Sequence, residues 1–167
     1  MAVIELVPIG IGRGPGEDRR AVVLREKGGS RMFAFITDER DIARIALLRT
    51  GRVARDTPDS YDAWSESLER LGASVEAFLI NGMVGSGEQR SLTGLVRLRR
   101  GDDRWDVPCG VSEGCVFALR NGAPIRCEEA ILTLVANLVG DLERRAHEQE
   151  NRAWLERFEH DPDLPKN

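Results

Sequence analysis

Trp105-Asp-Val-Pro-Cys-Gly-Val-Ser-Glu-Gly-Cys-Val-Phe-Ala-Leu-Arg-Asn-Gly-Ala-Pro-Ile125 decides how the rest of the chain is read. It opens as a short strand and passes through a Pro/Gly turn. Ser112 is the expected N-cap of a helix, and Glu113 sits in the first turn, where an acid complements the helix dipole. Cys115, Val116, Phe117 and Leu119 supply an apolar face at helical spacing. Asn121-Gly122 ends the helix, because glycine accepts the left-handed cap conformation, and Pro124 blocks continuation. Strand, turn, buried helix and turn follow each other within this one stretch.

The same signals carry outward. Ala2 to Ile11 reads as a strand, Arg20 to Glu26 as a second and Arg31 to Ile36 as a third. The glycines between Gly10 and Gly16 do not open a helix, so they read as a hairpin loop rather than a phosphate cradle. Asp38 to Thr50 has a helical apolar stripe that stops at Gly51. Thr57-Pro58 starts another helix, with Asp59 and Asp62 in its first turns and Tyr61, Trp64, Leu68 and Leu71 on one face. Strands follow over Ser74–Ile80, Ser91–Arg99 and Arg104–Val107. After the opening stretch come a short extended Pro124–Cys127 and a long final helix from Glu128.

This order repeats. Gly51 and Gly122 both stop a helix after Leu-Arg, and applying their separation elsewhere lays each strand and helix on a counterpart. The reading is an α+β fold made of a duplicated strand-strand-strand-helix-helix unit, residues 2–72 and 73–141, with a shared core because neither copy buries its sheet face alone. Short connections make each three-strand unit antiparallel. The domain spans 1–142. Residues 143–160 form a polar helical extension that ends in Trp154, Leu155 and Phe158, and 161–167 form a disordered tail. Three large apolar side chains beyond a polar helix predict packing on a second copy, as a homodimer or larger homo-oligomer.

Composition narrows the class. The chain has 167 residues and a net charge of −4, which gives no global attraction to nucleic acid; binding to DNA or RNA needs a local basic patch. Arg97, Arg99, Arg100 and Arg104 offer one, as phosphate contacts or as a charged sheet edge. Cys109, Cys115 and Cys127 are odd in number and lack metal-type pairing, which predicts free thiols in a reducing, cytoplasmic setting. No basic leader precedes the first strand, and the apolar run Ala130–Val139 is too short to span a bilayer, so no membrane partner is expected. The two histidines, His147 and His160, lie in the polar tail, away from any triad or zinc spacing.

Carboxylates remain as candidate chemistry: Glu113, Asp106, Asp38, Glu39, Asp41, Asp59 and Asp62. Acidic clusters hold Mg2+ or Mn2+ for phosphodiester cleavage, whereas single acids at helix starts are ordinary caps. No organic cofactor is expected.

Four segments resemble the bifunctional nuclease domain family: Ile9-Gly-Ile-Gly12, Val22-Val-Leu-Arg-Glu26, Leu68-Glu-Arg-Leu-Gly-Ala73 and Ala118-Leu-Arg-Asn-Gly-Ala-Pro-Ile125. The resemblance covers about Ala2 to Leu134. It implies a self-associating α+β domain and, for some members, cleavage of DNA and RNA. On that expectation Glu113, Ser112 and Asp62 are the catalytic candidates. Glu113, Asp62 and Asp41 place a divalent metal, and Ser112 contacts phosphate. Where the family reads Asp-Ala-Arg-Pro-Ser-Asp-Ala, this chain reads Pro108-Cys-Gly-Val-Ser-Glu-Gly114, losing an acid and a cation. Where the family often has Thr-His-Asp, it has Ser60-Tyr-Asp62. These departures leave a second expectation open: a non-catalytic oligomeric binding or scaffold module of the same fold.

Overall fold

In a computed structural model of the chain, residues 2–13, 20–51, 58–85 and 91–135 are described. The N-terminal strands are β1 (Val3–Arg13), β2 (Arg20–Glu26) and β3 (Met32–Ile36), followed by helices α1 (Glu39–Arg49) and α2 (Ser60–Arg70). Then come β4 (Ser74–Val84), β5 (Ser91–Arg100), β6 (Asp103–Gly110), helix α3 (Val111–Arg120), β7 (Ile125–Glu128) and a helical segment over residues 129–135. The expected glycine-rich loop, the polar extension and its Trp154, Leu155 and Phe158 lie wholly or largely outside the described residues.

The strands form one seven-stranded sheet in the order β3-β2-β1-β7-β4-β5-β6. Each three-strand group is antiparallel, as the short connections require. β7 lies between the groups, antiparallel to β1 and parallel to β4. The chain reaches that slot by stopping α3 at Asn121, turning at Gly122 with φ 64°, and bonding the Phe78 amide to the Pro124 carbonyl at 3.0 Å. Sequence reading expects an extended Pro124–Cys127 but not its place, because strand pairing across such a separation leaves no local signal.

α1 packs on β1 and β2, α3 packs on β4 and β5, and the two helices touch each other. Alternation along the strands points Val22, Leu24, Phe33 and Phe35 at α1, and Phe78, Ile80, Val96 and Leu98 at α3. These residues belong to one core cluster with Ile42, Ile45, Val116, Ile125 and Leu132, so the two strand groups share a single interior.

Three helix starts differ from expectation. α1 begins at Glu39, with the Asp38 side chain accepting from the Asp41 amide at 2.8 Å. α2 begins at Ser60 rather than at Pro58, because Asp59 and Asp62 form a reciprocal capping box that sets the N-cap at Asp59. α3 begins at Val111, so Ser112 is not its cap: β6 runs to Gly110, still paired with Thr93, and the helix starts at once with no side-chain cap bond.

Helix and sheet approach most closely at Phe78, whose ring lies between Gly94 and Gly114. A β-carbon on Gly114 would overlap the ring, and one on Gly94 would lie 2.6 Å from it. Phe78 is 0% exposed, so it has no room to withdraw. Gly114→Ala is therefore expected to cost about 1–3 kcal/mol through overpacking. Gly10→Ala, where a β-carbon meets nothing within 4 Å, is expected to cost less. Urea denaturation of the two variants compares them, and equal midpoints would refute the clamp.

Candidate active site

The N-terminal turn of α3 and the facing ends of α1 and α2 bring the candidate residues to one junction. On α1, Asp41 is 6% exposed. Its Oδ1 accepts from Arg44 Nη1 at 3.1 Å and from the Tyr61 hydroxyl at 3.3 Å. Arg44 also donates through Nε to Asp59 Oδ2 at 2.7 Å, and its guanidinium lies 5.0 Å from the centre of the Tyr61 ring. Asp59 Oδ1 accepts from the amides of Tyr61 and Asp62, and Asp62 Oδ2 accepts from the Asp59 amide at 2.8 Å. The other Asp62 oxygen forms an ion pair with Arg120 at the end of α3.

α2 buries none of its own residues. Those ion pairs, two aromatic contacts and the packing of the partly buried Tyr61 and Leu68 on the core hold it instead. Tyr61 meets Phe117 edge-on at 5.0 Å between ring centres, and Trp64 meets the same ring at 4.9 Å. Glu113, Phe117 and Arg120 recur at helical spacing, so one face of α3 presents all three.

Glu113 is exposed at the third position of α3. Its Oε2 accepts from Ser112 Oγ at 3.3 Å. The carboxylate lies over Gly110, in the space that a side chain at that position would fill. Burial and then the charges of Asp41 and Glu113 hold the Tyr61 phenol well above its usual range, so it stays protonated and donates to Asp41. Burial, then Glu113, pushes the Cys109 thiol up to about 11. Cys115 is completely buried and raised further, and Cys127 is pushed up to about 12, mainly by burial. All three cysteines are free thiols, and none has the lowered pKa of a nucleophile.

Asp41 and Glu113 both bear on Tyr61, whereas Asp62 is turned to Arg120. Among the described residues no three His, Cys, Asp or Glu side chains gather as a metal-binding group. Both Asp62 oxygens are engaged, by Arg120 and by the Asp59 amide, whereas Arg44 and Tyr61 both reach Asp41 through Oδ1. Of the set Glu113, Asp62 and Asp41, Asp62 would have to release Arg120 to hold Mg2+ or Mn2+. The basic hairpin is also partly neutralised, with Arg97 paired to Asp106 at 2.8 Å and Arg104 to Glu76 at 3.0 Å.

Sequence reading missed Arg44 and Arg120. Arg44 carried a usable signal, standing three residues after Asp41 on one helix face. Arg120 did not, because its partner is on another helix.

Fold and site together define an α+β domain with helices on one face of a mixed sheet and an acidic, arginine-braced helix junction. The chain matches the bifunctional nuclease domain family over residues 22–138, a span that includes every residue of that junction. It belongs to that family. No curated protein matches it. Among the described residues no helix is long and apolar enough to cross a membrane.

Removing Arg44 would leave the buried Asp41 charge without its cation. Arg44→Ala is expected to destabilise the fold by about 3 kcal/mol, and Asp41→Leu with Arg44→Met to recover most of that loss. Urea denaturation measures both. A loss below about 0.5 kcal/mol in the single variant, the level of an exposed pair, would count against a structural role.

Proposed function

We propose that the chain cleaves nucleic-acid phosphodiester bonds, with Glu113 as general base and Ser112 as a hydroxyl contact to phosphate. One observation carries this reading. At a junction where Asp41 and Asp62 are each held by an arginine, Glu113 is exposed and bonded among the described residues only to Ser112. An exposed carboxylate takes a proton from an attacking hydroxyl, and such catalysis contributes about 10²–10⁴-fold. Glu113→Gln keeps the size of the side chain and removes its basicity. It is expected to slow cleavage of labelled single- or double-stranded nucleic acid at least about a hundredfold without changing the circular dichroism spectrum. An unchanged rate would exclude Glu113 as the base.

A second reading is favoured by Pro108 and Gly110, which stand where the family usually has an acid and a cation. On it, the chain is a non-catalytic binding or scaffold module that kept the fold. Wild-type protein that folds but cleaves no substrate supports that reading against the first.

We also read the fold as a duplication. β1 and β4 start 71 residues apart (residue 3 against residue 74), as do β2 and β5 (20 against 91) and β3 and β6 (32 against 103). Failure of residues 3–49 to superpose on residues 74–120 in the same element order would end this reading. Three free thiols fit a cytoplasmic protein. Trp154, Leu155 and Phe158 support a homodimer or larger homo-oligomer, since burying three such side chains contributes several kcal/mol, roughly 1.5–3 each. Light scattering of the full chain is expected to give at least a dimer mass, and truncation after Arg145 to lower it. A monomeric full chain would remove the tail from assembly.

A further inference from the structure

From the uncharged edge strand Met32–Ile36, apolar on both faces, we infer that β3 is the docking surface for a second copy of this chain. The two strands pair antiparallel about Ala34, so that two seven-stranded sheets run on as one. The inference is independent of the catalytic reading, and it gives the homo-oligomer a surface other than the tail.

The two edges of the sheet are built differently. β3 and β6 are its outer strands. β6 carries Asp103, Arg104, Asp106 and Pro108, the charges and proline that keep an edge from taking on another strand. β3, Met32-Phe-Ala-Phe-Ile36, has neither charge nor proline. Its inward residues Phe33 and Phe35 are buried. The outward ones are apolar as well: Met32 is 50% exposed, Ile36 44%, and Ala34 is exposed between them. A strand with one solvated face ordinarily alternates apolar with polar residues. Among the described residues β3 pairs with β2 alone, so its other side presents backbone N–H and C=O groups without a partner strand. α1 packs mainly on β1, β2 and α3, inward of that edge.

The occupant follows from the order of residues in the strand, which reads nearly the same in reverse. Antiparallel pairing centred on Ala34 is the one register that matches all five residues of β3 with all five of a copy. It sets Met32 against the partner's Ile36, Phe33 against the partner's Phe35 and Ala34 against the partner's Ala34. Opposed residues share a face, so large apolar side chains meet on both faces and the smallest lies on the two-fold axis. Charge selects the same direction. Arg31 precedes β3, and Asp38 and Glu39 follow it. Antiparallel pairing brings each basic end beside the partner's acidic end, whereas parallel pairing sets like charges together. A five-residue strand pair is a small interface, so association depends on concentration.

The test uses the full-length chain in three variants beside the wild type: Ala34→Cys, Asp103→Cys at the other edge, and Ala34→Lys. Positions 34 and 103 are both exposed, and circular dichroism checks that each variant is folded. With a short bis-maleimide, Ala34→Cys is expected to give a covalent dimer, since the Cβ atoms of opposed residues lie about 4.5–5.5 Å apart. Asp103→Cys and the wild type, whose cysteines are buried or half-buried, are expected to give none. Ala34→Lys sets two like charges together on the axis. It is expected to weaken association at least about tenfold in sedimentation over a concentration series reaching about 0.1 mM. Cross-linking of Ala34→Cys no greater than that of Asp103→Cys would overturn the β3 interface, as would folded Ala34→Lys that associates like the wild type. Either result leaves assembly to the tail, which truncation after Arg145 tests separately. A wild-type chain that stays monomeric throughout the series would overturn both surfaces.

Discussion

Four residues hold the sheet together. β7, Ile125–Glu128, is hydrogen-bonded on one side to β1 and on the other to β4, and without it the two antiparallel groups have no common edge. Its inward residues, Ile125 and Cys127, are almost fully buried at the centre of the core. The strand is too short to be stable alone. It exists because both flanking strands supply backbone partners and α3 packs on it. The cooperative unit is therefore the whole sheet with α1 and α3, not either strand group.

The junction of α1, α2 and α3 rests on a different kind of force. α2 contributes no fully buried residue, and only the partly buried Tyr61 and Leu68 pack against the core, so apolar burial accounts for little of its place. Instead the helix is tied through Asp59 and Arg44 to α1, through Asp62 and Arg120 to α3, and through Tyr61 and Trp64 to Phe117. Buried ion pairs add little net stability, but breaking one partner is costly, so they specify position more than they stabilise it. This puts carboxylates of the kind that serve catalysis elsewhere into structural roles here.

Much of the fold was legible because its signals are local. Alternation in Met32-Phe-Ala-Phe-Ile36 announces a strand with one buried face, and Asn121-Gly122 with Pro124 announces the end of α3. The position of β7 was not legible, nor was the partner of Arg120, because both depend on contacts between segments far apart in the chain. Ser112 was misread as a cap for a related reason. A serine before an apolar run normally ends the preceding loop, but here no loop exists: pairing of Gly110 with Thr93 carries β6 to the first residue before the helix. At the candidate site, Glu113 was placed at the start of its helix by its own local sequence. The partner of Asp62 was an arginine that only the folded chain brings to it, whereas that of Asp41 stands three residues away on its own helix.

The missing loop between β6 and α3 has a mechanical meaning. β5 and β6 pair from Thr93–Gly110 to Arg100–Asp103 without a bulge, whereas β1–β2 and β4–β5 both contain register shifts. A strand that passes directly into a helix transmits its registration to every side chain beyond the joint. One inserted residue before Val111 would rotate α3 by about 100° and advance it about 1.5 Å, swinging Glu113, Phe117 and Arg120 away from α2 together. Length change at this joint is thus forbidden while residue change is not. Chemistry there can change only by substitution on a frame whose spacing stays constant.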